Sequence, residues 1–464
     1  MCNRHRYSEE DKIFTITKSE LNGRLDPKMA LYNKKIILSP YPIVKLRSLL
    51  LSKPQYGANV PGIIRRNNLQ PRYIRITDIN EYGLINTEEL GVSAKNVEDK
   101  YILNVNDILF ARSGATVGKV YIHRKQPYLC LYAGYLIRFI VDPSKVLPDY
   151  LFAYTQLSPY KKWIKAIQRP SAQPNINAEE FQSLEIPLPD MPIQKKIVKH
   201  INDAYIQKQE KETEAQKLLN SIDEYILTEL GVSVPETDTT LRSRIFFVNK
   251  KNISSRLNPG LYKNSLRLIS DRYDNIPLSY LAYINPTTIF HNATEETPIS
   301  FIPMESIDEE YSEIIGYMRT TVRESPGYTR FQEGDLLWAK ITPCMENGKS
   351  IIAKNLVNGY GCGSTEYHII RPKNSKLMIE FIHLLLHMKI VRQTAVFYFG
   401  GSAGQQRVAS DFLEKFNVPL PPIFKQQEIV KHILDIKMQA KSLKEEGNRI
   451  LNNAKREIEK QLIY

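Results

Sequence analysis

The chain has 464 residues, a formal net charge of +13 and a hydrophobic fraction of 42 %. That length is too great for one ordinary core, and the composition excludes wholesale disorder. No run approaches the ~20 apolar residues of a membrane span, and "MCNRHRYSEEDKIF" lacks the apolar core of a signal peptide, so a cytoplasmic protein is expected. Cys2, Cys130, Cys344 and Cys362 form no CxxC pair, which argues against a disulfide scaffold and a zinc site. The positive excess points to an anionic partner, nucleic acid or a membrane surface.

In chain order, Arg24-Leu25-Asp26-Pro27 precedes short alternating segments such as "YIRITDI" and "YLIRFIV". These read as strands broken by turns, with helix in "LPDYLFAYTQLSPYKKWIKAI". The run "IPLPDMPIQKKIVKHI" then opens a stretch from Gln194 to Leu230 free of proline and glycine. Proline tolerated at a helix start but not in its interior marks a long helix there. The whole order then recurs. Arg256-Leu257-Asn258-Pro259 matches the opening, and Gly334-Asp335 with "LLWAK" matches Asn106-Asp107 with "ILFAR". Ser402, Ala403 and Phe412 match Ser171, Ala172 and Phe181. "VPLPPIFKQQEIVKHI" starts a second long helix interrupted only by Gly447. The pentapeptide IVKHI stands at Ile197–Ile201 and at Ile429–Ile433.

Each helix is expected to run about 35–40 residues, or roughly 55–60 Å at 1.5 Å per residue. Apolar residues recur at three- and four-residue steps: Ile197, Ile201, Ala204, Ala215, Leu218, Ile222 and Tyr225, then Ile429, Ile433, Ile436, Ala440, Leu443, Ile450 and Ala454. Such a seam needs a partner, because propensity alone does not hold so long a helix. Pairing with the sister helix predicts a pseudo-two-fold molecule. Lys208, Lys211 and Gly447 are expected to make that pairing locally imperfect. The helices are nearly neutral, so the globular segments hold the positive excess and would meet a polyanion. The expected boundaries are a first globular domain over 1–185, a helix over 186–231, a second domain over 232–417 and a helix over 418–464.

A search for chemistry finds no enzyme. The chain has no Asn/Asp-Pro-Pro-Tyr/Phe loop of an adenine methyltransferase; "PCMENGKS" has Pro343 where a phosphate loop needs its first glycine, and "GATVGKV" is one residue short and lacks the Ser/Thr. Asp78 with Glu98-x-Lys100 draws a nuclease-like pattern of a kind that arises by chance. The eight histidines form no HExxH motif; His200 and His432, at matching repeat positions, point to a shared structural role and no metal site.

Nucleic-acid readers use Lys and Arg on phosphates and Arg, Asn, Gln, Ser and Thr on base edges. In the first half "IIRRNNLQPRYIR" offers Arg65, Arg66, Asn68, Arg72 and Arg75. "ARSGATVGK" offers Arg112, Ser113 and Lys119, and "QRPSAQPNIN" offers Arg169, Ser171, Gln173 and Asn175. In the second half the candidates are Lys340, Thr342, Lys349, Ser402, Gln405, Gln406 and Arg407. The first of these segments has no counterpart in the second copy. A shared frame with unlike contents suggests two different sites read by one chain, where a palindrome reader would keep its halves alike.

Those motifs, in that order and twice over, resemble the specificity (S) subunit of type I restriction-modification systems. The resemblance rests on the Arg-Leu-Asp/Asn-Pro openings, "NDILFARSGATVGKV" and "GDLLWAKITPCMENGKS", "PSAQPNIN" and "GGSAGQQRV", and the doubled PLPxxxxQxxIV entry. It implies an α+β fold with two globular α/β target recognition domains in tandem, each followed by a long helix, the helices packing as an antiparallel coiled coil. It also implies a non-catalytic chain that binds a split double-stranded DNA site and docks two methyltransferase (M) subunits and restriction (R) subunits. S-adenosylmethionine, ATP and Mg would be used by those partners, and no cofactor by this chain. A non-DNA coiled-coil adaptor binding protein or RNA is the alternative.

Overall fold

The computed structural model describes residues 28–29, 32, 38–80, 82–87, 89–95, 98–114, 116–168, 174–233, 245–249, 262, 268–316, 318–402 and 405–463. The Arg-Leu-Asp/Asn-Pro openings lie outside these residues. The chain divides into two compact units. The first comprises Met1–Lys211 and Glu445–Tyr464, and the second Glu212–Lys444.

The first unit is built on an antiparallel sheet in the order Gln55–Tyr56, Leu136–Phe139, Ile108–Ala111, Val120–Ile122. Its central strand is buried on both faces, which explains the unbroken apolar run "ILFA". Ile108 and Phe110 face one core with Phe139, Tyr150, Trp163 and Phe181. There helices Pro148–Thr155 and Ser158–Ile167 supply the covering layer. Leu109 and Ala111 face a second core with Ile74 and Tyr132, under the parallel pair Arg72–Ile74 and Cys130–Tyr132.

The second unit repeats this plan. Its antiparallel sheet runs Ala282–Ile284, Tyr367–Pro372, Leu336–Ala339, Ser350–Ile352. Leu336 and Trp338 face the core shared with helix Ile379–His387, and Leu337 faces the other side. The parallel pair recurs as Pro298–Ile302 with Tyr360–Gly363.

The repeated aspartate ahead of each central strand is a structural anchor. Asp335 accepts from the backbone N–H of Gln332 at 2.8 Å and from Arg371 Nε and Nη2 at 2.7 Å each, with its side chain 1 % exposed. Asp107 accepts from the Asn104 N–H at 2.9 Å and stands 3.4 Å from Arg138 Nη1. Burial pushes the Asp107 carboxyl up from its ordinary value, against the lowering effect of the Asn104 N–H and Arg138.

The PLPxxxxQ motif has an equally specific use. Helix Met191–Leu230 begins with Asp190 Oδ1 accepting from the Ile193 N–H at 3.1 Å. Gln194, 1 % exposed, accepts from the Leu147 N–H at 2.8 Å and donates to Pro189 O at 2.9 Å. In the second unit Gln426, 0 % exposed, accepts from the Met378 N–H at 2.9 Å and donates to Lys376 O at 2.8 Å and Pro421 O at 2.9 Å. In each unit the glutamine thus ties the start of a long helix to the N-terminus of a domain helix, satisfying an N–H that the helix leaves orphaned.

Both long helices span 40 residues, and they pack antiparallel within each unit. In the first unit Ile197, Ile201 and Ala204 share a core with Leu451, Ala454, Ile458 and Leu462, with Ile450 packed against it. His200 Nε2 lies 3.0 Å from Glu457 Oε2, and Lys211 Nζ 3.1 Å from Glu446 Oε2, so numbers rise on one helix as they fall on the other. In the second unit Ile226, Leu230, Ile429 and Ile433 are buried together with Ile222 against them, and the rings of Tyr225 and His432 are 4.2 Å apart. Leu218, Ile436 and Leu443 are half-buried. Ile226, Leu230, Leu451, Ile458 and Leu462 extend the seam beyond the residues picked from the sequence.

The expected imperfection at Gly447 is not there. Helix Ile423–Leu462 runs through it, and a Cβ at this position would meet the Cα, Cγ and O of Lys208 at 3.3 Å each. The glycine admits a close approach of the first helix. Lys208 itself is buried along its stem, with Nζ 4.5 Å from the centre of the Tyr82 ring. Gly447→Leu is expected to destabilise the first unit by about 1–2 kcal/mol through overpacking. Gly447→Ala should cost less, because helix propensity returns about 1 kcal/mol. Denaturant titration of both variants checks the order.

Candidate nucleic-acid interface

At the exposed end of the central strand, each unit joins two loops through the same backbone hydrogen bonds. In the first, the Arg112 N–H donates to Tyr135 O at 2.9 Å, Ile176 N–H to Arg112 O at 2.8 Å, and Gly114 N–H to Pro174 O at 3.1 Å. In the second, the Lys340 N–H donates to Glu366 O at 2.9 Å, Val408 N–H to Lys340 O at 2.9 Å, and Thr342 N–H to Gln406 O at 3.0 Å. The isolated bridges Ser113–Asn175 and Ile341–Arg407 complete the correspondence. Arg112 thus occupies the place of Lys340, Tyr135 that of Glu366, and Asn175 that of Arg407.

The side chains on this frame differ in kind. In the first unit Arg112, Ser113 and Asn175 line an open cleft of about 440 Å³ with Tyr56, Asn59 and Tyr135. The Arg112 guanidinium lies 4.8 Å from the Tyr56 ring centre and 3.4 Å from Asn175 Oδ1. Among the described residues the cleft lining contains no carboxylate. In the second unit Arg407 Nε and Nη2 grip Glu366 at 2.7–3.1 Å, and Nη1 donates to Gln405 O at 2.7 Å. The guanidinium holds the Glu366 carboxyl below its ordinary range. Arg407 is therefore occupied by a carboxylate of its own unit, the half-buried Glu366, which the sequence did not single out. Thr342 Oγ1 donates to Glu346, while Ser402 and Gln405 are exposed.

Other candidates have different work. Arg65 and Arg72, expected on the surface, are 2 % and 1 % exposed. Their guanidiniums donate to the carbonyls of Gln70, Leu90 and Asn86 at 2.7–2.8 Å. Lys119 Nζ donates to Ile79 O at 2.7 Å, and Lys349 Nζ to Met304 O at 3.2 Å. Each lysine ties its sheet to the turn after the parallel strand. Arg75 is exposed but forked on Asp78 at 2.8 and 3.1 Å. Arg66 and Asn68 are exposed on one turn. Arg169, Ser171 and Gln173 lie outside the described residues. Asp78, Glu98 and Lys100 form no joint site: Asp78 holds Arg75, and Lys100 pairs with Glu98 at 2.6 Å. Among the described residues no group of three His, Cys, Asp or Glu is placed to hold a metal, and no helix is long and apolar enough to cross a membrane.

Tyr56, Asn59, Tyr135 and Glu366 escaped the sequence reading. The bridge that brings Asn175 to Ser113 joins residues far apart in the chain, and only the strand register shows which loop residues stand beside it.

Comparison with known proteins meets this picture. The specificity subunit of the type I restriction enzyme EcoEI from Escherichia coli is 36 % identical over 166 residues, 35 % of this chain and 27 % of that protein. The chain thus matches only about a quarter of that relative's length. The specificity subunit of StySPI from Salmonella potsdam is 22 % identical over 400 residues, 83 % of this chain and 80 % of that one. A chain solved in work titled as the structural basis of complex assembly and conformational transition of the type I R-M system covers 91 % of this chain and 96 % of its own, with a TM-score of 0.50 and 16 % identity. That is a likeness of fold. The model of the type I restriction modification DNA specificity domain matches residues 63–220 and 284–452, one copy on each repeat. Two copies over most of the sequence, on a chain that folds as two units of one plan, make this protein a member of that family.

Proposed function

We propose that the chain is the DNA-recognising specificity subunit of a type I restriction-modification complex in the cytoplasm, and that each unit reads one half of a split, asymmetric double-stranded target. The observation that carries this reading is the loop frame common to both units with exchanged side chains: Arg, Ser, Tyr and Asn in one, Lys, Ile, Glu and Arg in the other. A common frame sets the approach to the duplex, and unlike side chains select unlike bases. The chain itself carries no catalysis. Two methyltransferase subunits using S-adenosylmethionine, and restriction subunits using ATP and Mg, dock on it and supply the chemistry.

Phosphate contacts from the basic domains give salt-sensitive affinity without sequence preference, and the frame residues add the preference. Joining two readers in one chain raises the effective concentration of the second once the first is bound. The test is to map methylated adenines in a host carrying the chain with its methyltransferase subunits. A single two-part asymmetric motif is expected, abolished when the chain is withdrawn. Methylation that persists unchanged without the chain, or follows a palindrome, overturns the proposal.

A further inference from the structure

The segment "IIRRNNLQPR" builds an unusual feature of the first unit. Strand Gly62–Ile64 pairs with Val92–Ala94 and leads into a turn whose residues Arg66, Asn67, Asn68 and Leu69 are all exposed. Leu69 is 95 % exposed and Ile64 80 %. The turn is nonetheless held firmly. Arg66 N–H donates to Gln70 Oε1 at 2.7 Å, and Leu69 N–H to Asn67 Oδ1 at 3.1 Å.

Beneath it lie the two buried guanidiniums. Arg65 spans from Gln70 O to Leu90 O at 2.8 Å each and stacks over Tyr128 at 4.1 Å. Arg72 reaches Asn86 O at 2.7 Å and Tyr128 Oη at 3.3 Å. Taking a charged side chain out of water is costly, and carbonyl acceptors offset this only in part. Among the described residues Arg65 Nη2 and Arg72 Nε have no hydrogen-bond partner. The second unit does without this arrangement. Arg72 pairs with Cys130 in the parallel ladder, and the corresponding pair there is Ser300 with Gly361. Ser300 makes a neutral hydrogen bond, accepting from the Val357 N–H at 2.9 Å. The guanidinium platform therefore serves something present only in the first unit.

We infer that the turn Arg66–Leu69 is a base-reading element of the first unit, with Leu69 inserted as an apolar wedge at a base step and Arg66, Asn67 and Asn68 on the neighbouring base edges, while Arg65 and Arg72 position it from below. This rests on the DNA-binding reading given above. The chemistry selects nucleic acid. From Lys53 to Thr77 the chain has no carboxylate, so the turn itself carries only positive charge, and the exposed Glu89 beside Leu90 is held by Asn86 Nδ2 at 3.0 Å. A contact to phosphate alone has no use for a leucine at the tip. Apolar side chains flanked by arginine and amides are the means by which proteins open base steps from the minor groove, where Arg and Asn distinguish A·T from G·C pairs. Rigid support lowers the ordering cost that a free loop would incur on binding.

The test uses the full chain produced with its methyltransferase subunits, carrying Leu69→Ala or Asn68→Ala. Both positions are exposed, so folding is not at stake. Methylated-adenine mapping is combined with titration of the purified complexes on duplexes that match the target or are changed in one half. For each variant the bases of one half-site should relax by about tenfold in preference, with the other half-site and non-specific binding unchanged. An unaltered motif with affinity lowered equally on all duplexes overturns the inference, because it marks a phosphate contact. An unaltered motif with loss of the methyltransferase subunits on purification overturns it in favour of a protein-docking turn. A parent complex without sequence preference instead removes the DNA-binding reading itself.

Discussion

Asp335→Ala is expected to destabilise the second unit by about 2–3 kcal/mol, because it strips the half-buried Arg371 guanidinium of its two-pronged partner. Arg371 places both Nε and Nη2 on this carboxylate at 2.7 Å, and its third contact is only the Thr288 hydroxyl at 2.8 Å. The Gln332 N–H loses its acceptor in the same step. A double variant, Asp335→Leu with Arg371→Met, removes both charges and should recover much of the loss, since a well-packed apolar pair often equals a buried ion pair. Asp107→Ala in the first unit should cost less, since its arginine is 3.4 Å away and holds other acceptors, Ile102 O at 2.9 Å among them. Denaturant unfolding of the three variants measures the order. Equal losses for Asp335→Ala and Asp107→Ala would refute the assignment of the larger effect to the two-pronged pair.

Gln426→Ala is expected to cost about 2–4 kcal/mol. It leaves the Met378 N–H and the carbonyls of Lys376 and Pro421 without their partner at a site with no room for bulk solvent, since Gln426 is 0 % exposed. Gln194→Ala should act alike in the first unit through Leu147 and Pro189. Gln426→Glu separates hydrogen bonding from shape. It keeps the acceptor for Met378 but has no donor for the two carbonyls, so it should be destabilising even though its volume is nearly unchanged. Thermal unfolding of each variant reads these losses, and a loss within 0.5 kcal/mol for Gln426→Ala, the scale of an ordinary surface change, would sink the clamp.

Local pattern was enough for the parts of the fold that depend on near neighbours. The proline-stopped entries, the two 40-residue helices and the three- and four-residue seam all follow from short-range rules, and each was legible. So was the doubling, because IVKHI and the Asp before the central strand repeat outright. The interface was legible only as residue types. Arg65 and Arg72 sit among Pro, Asn and Gln and read as surface. Their burial follows from the pairing of Arg72 with Cys130, a non-local choice invisible in any window. Lys119 and Lys349 mislead likewise, since a lysine that reaches a carbonyl across a sheet looks the same in sequence as one that waits for a phosphate. Gly447 shows the opposite error. Helix propensity counts glycine as a defect, whereas here the missing Cβ is what lets Lys208 approach. Arg407 is a fourth case, its fork satisfied by Glu366 from the turn before strand Tyr367–Pro372.

The division of the chain has a consequence for biosynthesis. The second unit is one continuous stretch, Glu212–Lys444, but the first is assembled from Met1–Lys211 and the much later Glu445–Tyr464. A ribosome moving from the N-terminus therefore releases the apolar stripe of Ile197, Ile201 and Ala204 long before Leu451, Ala454, Ile458 and Leu462 exist to cover it. During that interval the nascent chain presents a sticky surface, which is the kind of intermediate that chaperones hold and that aggregates without them.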